Sequence, residues 1–242
     1  MNAKALPRHA MVLAAGLGKR LRPLTERRPK PLVEVNGRAL IDHALDRLKA
    51  AGIEVVIVNS HYKAELLEAH LKARREPEIR ISHEDELLDT GGGVAKALPL
   101  LGDAPFFVVN ADGLWLDGPG DTLHRMAGHW DGASMDALLL LTALEGAHGY
   151  QGAGDFALDE RGRARRRRPG KSAPYIFTGI QMLHPRLFEG CPAGAFSLNR
   201  LYDRAEGEGR LMGLRHDGVW LHVGTPEGLA AAEDRLAGRA TG

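Results

Sequence analysis

Short apolar blocks alternating with amphipathic stretches limit what this chain can fold into more than any other feature. The segments 9–13 (HAMVL), 53–58, 79–82 and 106–109 are rich in β-branched, aromatic or other apolar side chains. Blocks of that length, bounded by polar residues or glycine, read as strands buried on both faces. Within residues 38–51, Leu40, Ile41, Ala44, Leu45 and Leu48 form one helical stripe, and Gly52 stands where a helix would stop. Ala64, Leu67 and Leu71 repeat the pattern within 63–73. Strand and helix alternating with short links predict right-handed crossovers and a largely parallel sheet.

After Asp112 the texture changes. Gly113, Gly118, Pro119 and Gly120 crowd together, a helix is expected over 121–130, a strand over 136–144, and a hairpin turning at 160–162. A last helix is expected from Thr225, with Pro226 and Glu227 as start signals. No repeat or flexible linker interrupts the chain, so one domain over 1–242 is expected.

Charge excludes several classes of function. The 32 basic and 31 acidic residues leave a net charge of +1, so no global field draws nucleic acid or a membrane surface. The six arginines of 161–168 lack interleaved aromatics and read as a solvated hairpin arm. Residues 137–144, the longest strongly apolar run, are far too few to span a bilayer. Lys4 and Arg8 precede an apolar run, but Lys19, Arg20 and Arg22 occupy the place of a cleavage site, so a mature amino terminus is expected. Cys191, the lone cysteine, cannot form an internal disulfide and suits a reducing, cytoplasmic setting.

The local exception to this neutrality is AAGLGKRLR at 14–22, directly behind the first strand. Open parallel sheets collect ligands at the carboxyl ends of their strands. Gly16 and Gly18 let main-chain N–H groups approach phosphate oxygens, while Lys19, Arg20 and Arg22 supply charge. A unit charge pair about 4 Å apart contributes roughly 4 kcal/mol near a protein surface, enough to compete with water for a triphosphate. The loop is neither a dinucleotide fingerprint, because Leu21 stands at the third glycine, nor a Walker loop, because Arg20 follows Lys19.

The stretch LAAGLGKRLRPLTERRPKPLVEVNGRALI resembles the signature of the sugar-1-phosphate nucleotidyltransferases, with its Gly-x-Gly-x-Arg loop and Pro-Lys-Pro-Leu segment. The similarity continues through LLDTGGGVAKALPLLGDAPFFVVNADGLW and TGIQMLHPRLF to VWLHVGTPEGL. Within the family, DTGGG and LHPRLFEGCPAGAFSL are most similar to the N-acetylmuramate-1-phosphate uridylyltransferases of bacterial cell-wall recycling. The resemblance implies an α/β, Rossmann-like three-layer fold with a mixed, mostly parallel sheet. It also implies a nucleotide-binding half near 1–113 and a sugar-binding half near 114–242.

Transfer of a nucleotide to a sugar phosphate brings anions together, so neutralisation and positioning should carry catalysis without a covalent intermediate. The resemblance implies that Leu13, Ala14, Ala15 and Gly16 hold base and ribose, and that Gly18 and Arg20 hold the outer phosphates. Lys30, between Pro29 and Pro31, would reach the α-phosphate. Asp89, Gly91 and Gly92 would read the nucleobase, with Asn110 beside them. Arg20, Lys30 and Asp112 would be catalytic, and Asp112 and His222 would hold Mg²⁺ or Mn²⁺. His222 stands where the family carries an aspartate, and imidazole suits softer ions than Mg²⁺. Gly154 and Asp155, which follow Tyr150-Gln151-Gly152, together with Lys171, Thr178 and Asn59, are the sugar-binding candidates, with His61 nearby in sequence. The expected partners are an NTP, with UTP favoured, and a sugar 1-phosphate, in a monomer or weak homodimer. Guanylyl transfer to mannose or heptose 1-phosphate and non-catalytic sensing of sugar nucleotides remain open at this stage.

Overall fold

The computed structural model describes residues 6–148, 150 and 152–238; Lys4 and Gln151, both used above, lie outside them. In chain order the strands are β1 (His9–Leu13), β2 (Glu34–Val35), β3 (Arg38–Ala39), β4 (Val55–Ser60), β5 (Glu78–His83), β6 (Phe106–Asn110) and β7 (Gly113–Leu116). They continue with β8 (Ala137–Ala143), β9 (Ala147–His148), β10 (Phe156–Leu158), β11 (Ala164–Arg166), β12 (Tyr175–Leu183), β13 (Leu211–Arg215) and β14 (Val219–His222). The helices are α1 (Leu24–Arg27), α2 (Leu40–Ala51), α3 (Ala64–Lys72), α4 (Asp89–Leu101), α5 (Thr122–His129), α6 (Asn199–Gly207) and α7 (Pro226–Leu236).

The expected α/β fold with a mixed sheet is the fold observed. Nine strands form the main sheet in the order β11-β10-β12-β6-β1-β4-β5, with β8 pairing β12 and β13. The early strands pair in parallel, β1 against β4 and β6 and β4 against β5, whereas β12 runs antiparallel to β6, β8 and β10. Side chains of β1 alternate between two cores: Ala10 and Val12 join α2 and α3 on one face, while Met11 joins α4 and α6 on the other. Phe107 and Val109 oppose Phe106 and Val108 in the same way. A strand that serves two cores must be apolar throughout, which is why these blocks do not alternate with polar residues. Fully burying a side chain such as Phe106 contributes about 1.5–3 kcal/mol.

A second, smaller sheet of β7, β14 and β9 carries the chain from Asp112 and back to His222. It packs with α7 around Leu114, Leu221 and Val223. As expected, Thr225 caps α7, its side chain accepting from Gly228 N–H at 3.2 Å. The β2–β3 hairpin was not anticipated, although Asn36 and Gly37, at φ 53° and 72°, form the two-residue turn that an Asn-Gly pair favours. Helix α4 starts at Asp89, so the DTGGG block forms its first turn. Among the described residues no helix is long and apolar enough to cross a membrane.

Candidate active site

The carboxyl ends of β1, β4 and β6 open onto a cavity of about 560 Å³. The loop after β1 supplies one wall (Leu13 to Arg20), and Lys30 and Pro31 approach from the side. Asn59 comes from β4, Glu84, Leu87, Asp89 and Thr90 from beyond β5, and Asn110 to Asp112 from the end of β6. Lys19, Arg20 and Lys30 bring cations to this lining, and Glu84, Asp89 and Asp112 bring carboxylates.

The glycine loop is shaped for an anion. Gly18 sits at φ 62°, and a Cβ there would lie 2.9 Å from Thr25 Cγ2 and 3.0 Å from Lys30 Cβ, so both conformation and space demand glycine. Buried Thr25 holds the turn by donating its hydroxyl to Gly18 O at 2.9 Å. Gly16 has open space around its missing Cβ. Among the described residues, the N–H groups of Ala15, Gly16 and Leu17 donate to no protein acceptor. Free main-chain donors beside cations could receive phosphate oxygens.

Lys30 Nζ donates to Asp112 Oδ2 at 2.5 Å, joining segments 82 residues apart. Burial pushes the Asp112 carboxyl up, but the charge and hydrogen bond of Lys30 outweigh it and hold the pKa below the usual range. Asp112 is therefore an anion throughout the neutral range. His222 lies at the end of β14, opposite Gly113 of β7. Its ring stacks on Trp220 at 5.5 Å, and burial, against the pull of Asp112, lowers its pKa. The imidazole is neutral at pH 7.

A second cavity of about 260 Å³ lies beside the first. Arg20, Asn110 and Asp112 line both. Asp155, Thr178, Tyr150, Trp220 and His222 face the second. An irregularity in β12 between Phe177 and Gln181 opens this wall at Thr178 and Gly179. Gly179, at φ 81°, lets Asn110 pack where a Cβ would lie 2.7 Å from its Nδ2. Asp155 Oδ2 accepts from Phe177 N–H at 3.0 Å, and Trp220 Nε1 donates to Thr178 O at 3.0 Å.

The sequence candidates divide accordingly. Leu13, Ala14, Ala15, Gly16, Gly18, Arg20, Lys30, Asp89, Asn110 and Asp112 gather around the first cavity, and Asp155, Thr178 and His222 around the second. The remaining candidates lie elsewhere than the sequence reading expected. Gly91 and Gly92 do not line the first cavity: both donate their N–H groups to Phe196 O, at 2.8 and 3.1 Å. Cβ atoms there would lie 2.4 Å from the Phe196 ring and 2.3 Å from Gly194 O, so these glycines admit a packed segment rather than exposing amides to a base. Asn59 belongs to the first cavity and not to the sugar-side one. Lys171 and Gly154 face neither; their carbonyls accept from Arg167, at 2.9 and 2.7 Å. His61 Nδ1 lies 2.9 Å from Glu84 O and likewise lines neither cavity.

Glu84 and Leu87 in the first cavity, and Tyr150 and Trp220 in the second, were missed. Trp220 had a legible signal, since it stands two residues before His222 and so shares its strand face. In the arginine run, Arg166 pairs with Asp203 at 2.6 Å while Arg167 ties loop carbonyls, as befits a hairpin arm.

An α/β sheet with free main-chain donors and cations at its strand ends, and a second polar pocket across a shared carboxylate, has the architecture of an enzyme that handles nucleotides. The chain belongs to the nucleotidyl transferase family, whose model matches residues 9–154. It is 46% identical over 236 residues to the N-acetylmuramate alpha-1-phosphate uridylyltransferase of Caulobacter vibrioides (strain ATCC 19089 / CIP 103742 / CB 15), covering 96% of this chain and 98% of that protein. It is 36% identical to the like-named protein of Neisseria meningitidis serogroup B (strain ATCC BAA-335 / MC58), covering 89% of this chain and 93% of that one. A UDP-glucose pyrophosphorylase complexed with UDP-glucose shares the fold, with a TM-score of 0.79 at 18% identity over 96% of this chain and 99% of the other.

Proposed function

We infer that the chain transfers UMP from UTP to N-acetylmuramate 1-phosphate, releasing pyrophosphate and forming UDP-N-acetylmuramate for cell-wall recycling in the cytoplasm. The observation that carries this reading is the 46% identity across 98% of a uridylyltransferase of that specificity. The joined cavities support it: one has the cations and free N–H groups for a triphosphate, the other has the hydroxyl- and ring-contacting groups a sugar needs. In this reading the nucleotide half is residues 1–113 and the sugar half 114–242.

Base and ribose lie toward Glu84 and Asp89, and the β- and γ-phosphates lie against the loop N–H groups and Arg20. Lys30 neutralises the α-phosphate and aims it toward the second cavity. There an oxygen of the sugar phosphate attacks the α-phosphorus, and the bond to the pyrophosphate oxygen breaks. Both reactants are anions, so Arg20 and Lys30 act by lowering repulsion and fixing alignment.

A divalent ion would supply further neutralisation of the phosphates. Asp112, a carboxylate common to both cavities, is an oxygen donor that suits Mg²⁺, and the neutral imidazole of His222 adds a nitrogen that suits Mn²⁺. Among the described residues no three His, Cys, Asp or Glu side chains form a metal-holding group, so phosphates and water would complete the ligand set. The test is pyrophosphate release across four NTPs and a panel of sugar 1-phosphates, with Mg²⁺ and with Mn²⁺. UTP with N-acetylmuramate 1-phosphate should give the highest kcat/KM. Preference for GTP with a mannose or heptose phosphate, or no turnover with tight nucleotide binding, would overturn the assignment.

A further inference from the structure

Two buried side chains form a bridge that the roles assigned above leave unused. Asn59 and Glu84 are 3% and 1% exposed. Asn59 Oδ1 accepts from Ala14 N–H at 2.6 Å, Asn59 Nδ2 donates to Glu84 Oε1 at 2.7 Å, and Glu84 Oε2 accepts from Leu88 N–H at 3.0 Å. The chain of bonds thus runs from the start of the glycine loop, across the ends of β4 and β5, to the residue before α4. Gly93 makes room for it: a Cβ there would lie 2.8 Å from Glu84 Oε1 and 3.0 Å from Asn59 Nδ2.

The bridge has a fixed polarity. Its two outer donors are main-chain N–H groups, which cannot become acceptors. Positions 59 and 84 must therefore each present an oxygen outward and share one donor between them. An amide at 59 with a carboxylate at 84 satisfies this, and so does the reverse. Two amides leave an N–H facing an N–H, and two ionised carboxylates face each other with no hydrogen between them unless one of the pair takes up a proton. An unmade bond at a site this enclosed carries the full desolvation penalty of the group left over.

We propose that Asn59 and Glu84 are positioning residues that hold the glycine loop and the start of α4 at the separation an NTP requires. This rests on the reading of the first cavity as the NTP site. Because the bridge consumes Ala14 N–H and Leu88 N–H, it fixes where the free donors of Ala15, Gly16 and Leu17 stand relative to Leu87 and Asp89 across the cavity. It contacts no reacting atom, so its effect falls on NTP affinity more than on the sugar phosphate or the chemical step.

The test compares the full-length protein with Glu84→Gln, Asn59→Asp and the double variant. KM for UTP, KM for the sugar phosphate and kcat are measured beside calorimetric UTP affinity and thermal melting. Each single variant should weaken UTP binding about tenfold or more, from the stranded donor or paired anions, and leave KM for the sugar phosphate within about twofold. The double variant, which restores every donor–acceptor pair, should return UTP affinity to within about threefold of the parent. Single variants that fail to fold while the double variant folds and binds UTP would also support the bridge. Unchanged UTP affinity in Glu84→Gln, unchanged affinity in Asn59→Asp at a pH well above the carboxyl range, a double variant no better than the worse single, or misfolding of all three would overturn it. A parent protein that binds no nucleotide would instead refute the reading of the cavity.

Discussion

At the scale of single residues, the pair Lys30–Asp112 and the ring of His222 occupy the junction of the two cavities. Lys30 is held by its 2.5 Å bond to Asp112 and by the 3₁₀ turn at Lys30–Leu32 that follows Pro29. Lys30→Ala leaves Asp112 without its cation and, in the proposed reading, the α-phosphate without a counter-charge. Loss of a preorganised group facing transition-state charge costs about 10²–10³ in kcat. Lys30→Ala and Asp112→Asn should each reduce pyrophosphate release by that order with the far-ultraviolet spectrum preserved, and near-normal rates in either would remove the assignment. Replacing the imidazole by an oxygen donor in His222→Asp should raise the ratio of Mg²⁺- to Mn²⁺-supported activity. An unchanged ratio would show that His222 does not meet the ion.

At the scale of elements, α4 shows what the sequence could and could not reveal. The resemblance assigns Gly91 and Gly92 to the base, and nothing local announces that Phe196, more than a hundred residues away, packs on them. The β1, β4 and β6 strands were legible because each serves two cores, so runs such as Ala10 to Val12, Val55 to Val58 and Phe106 to Val109 are apolar without alternation. The β2–β3 hairpin carried its signal in Asn36-Gly37 but is too short for a periodic pattern. Asn59 lies near the end of β4, yet which cavity it faces depends on partners at Ala14 and Glu84 that no spacing encodes. Gly92→Ala should lower the melting temperature, because its Cβ would lie 2.3 Å from Gly194 O, and overpacking of this kind costs about 1–3 kcal/mol. Gly128→Ala in α5 meets nothing within 4 Å and should stabilise the protein by up to about 1 kcal/mol. Equal melting shifts for the two would refute the close packing at α4.

At the scale of the whole molecule, folding sets both protonation and the convergence of distant segments. His9, His184, His216 and His222 all have lowered pKa values, in each case chiefly through burial. His216 Nδ1 is buried with no hydrogen-bond partner among the described residues. The unfolded chain takes up protons on these rings below about pH 6.5 while the native state resists, so stability falls as pH drops from that value toward the lowered native pKa values. The melting temperature should therefore decline between about pH 6.5 and 5, and less steeply in His216→Gln; a flat profile would contradict this.

The glycine loop, Lys30 and Asp112 come from three segments that the sheet brings to one crevice, and the functional account depends on their sharing one polyphosphate. A crystal structure of the UTP complex measures this most directly. The account predicts the triphosphate along Ala15 to Arg20, the α-phosphate against Lys30 on the side of the second cavity with Asp112 near enough to share a divalent ion with it, and the uracil toward Asp89. A triphosphate bound elsewhere, or Lys30 and Asp112 both turned away from it, would contradict the account.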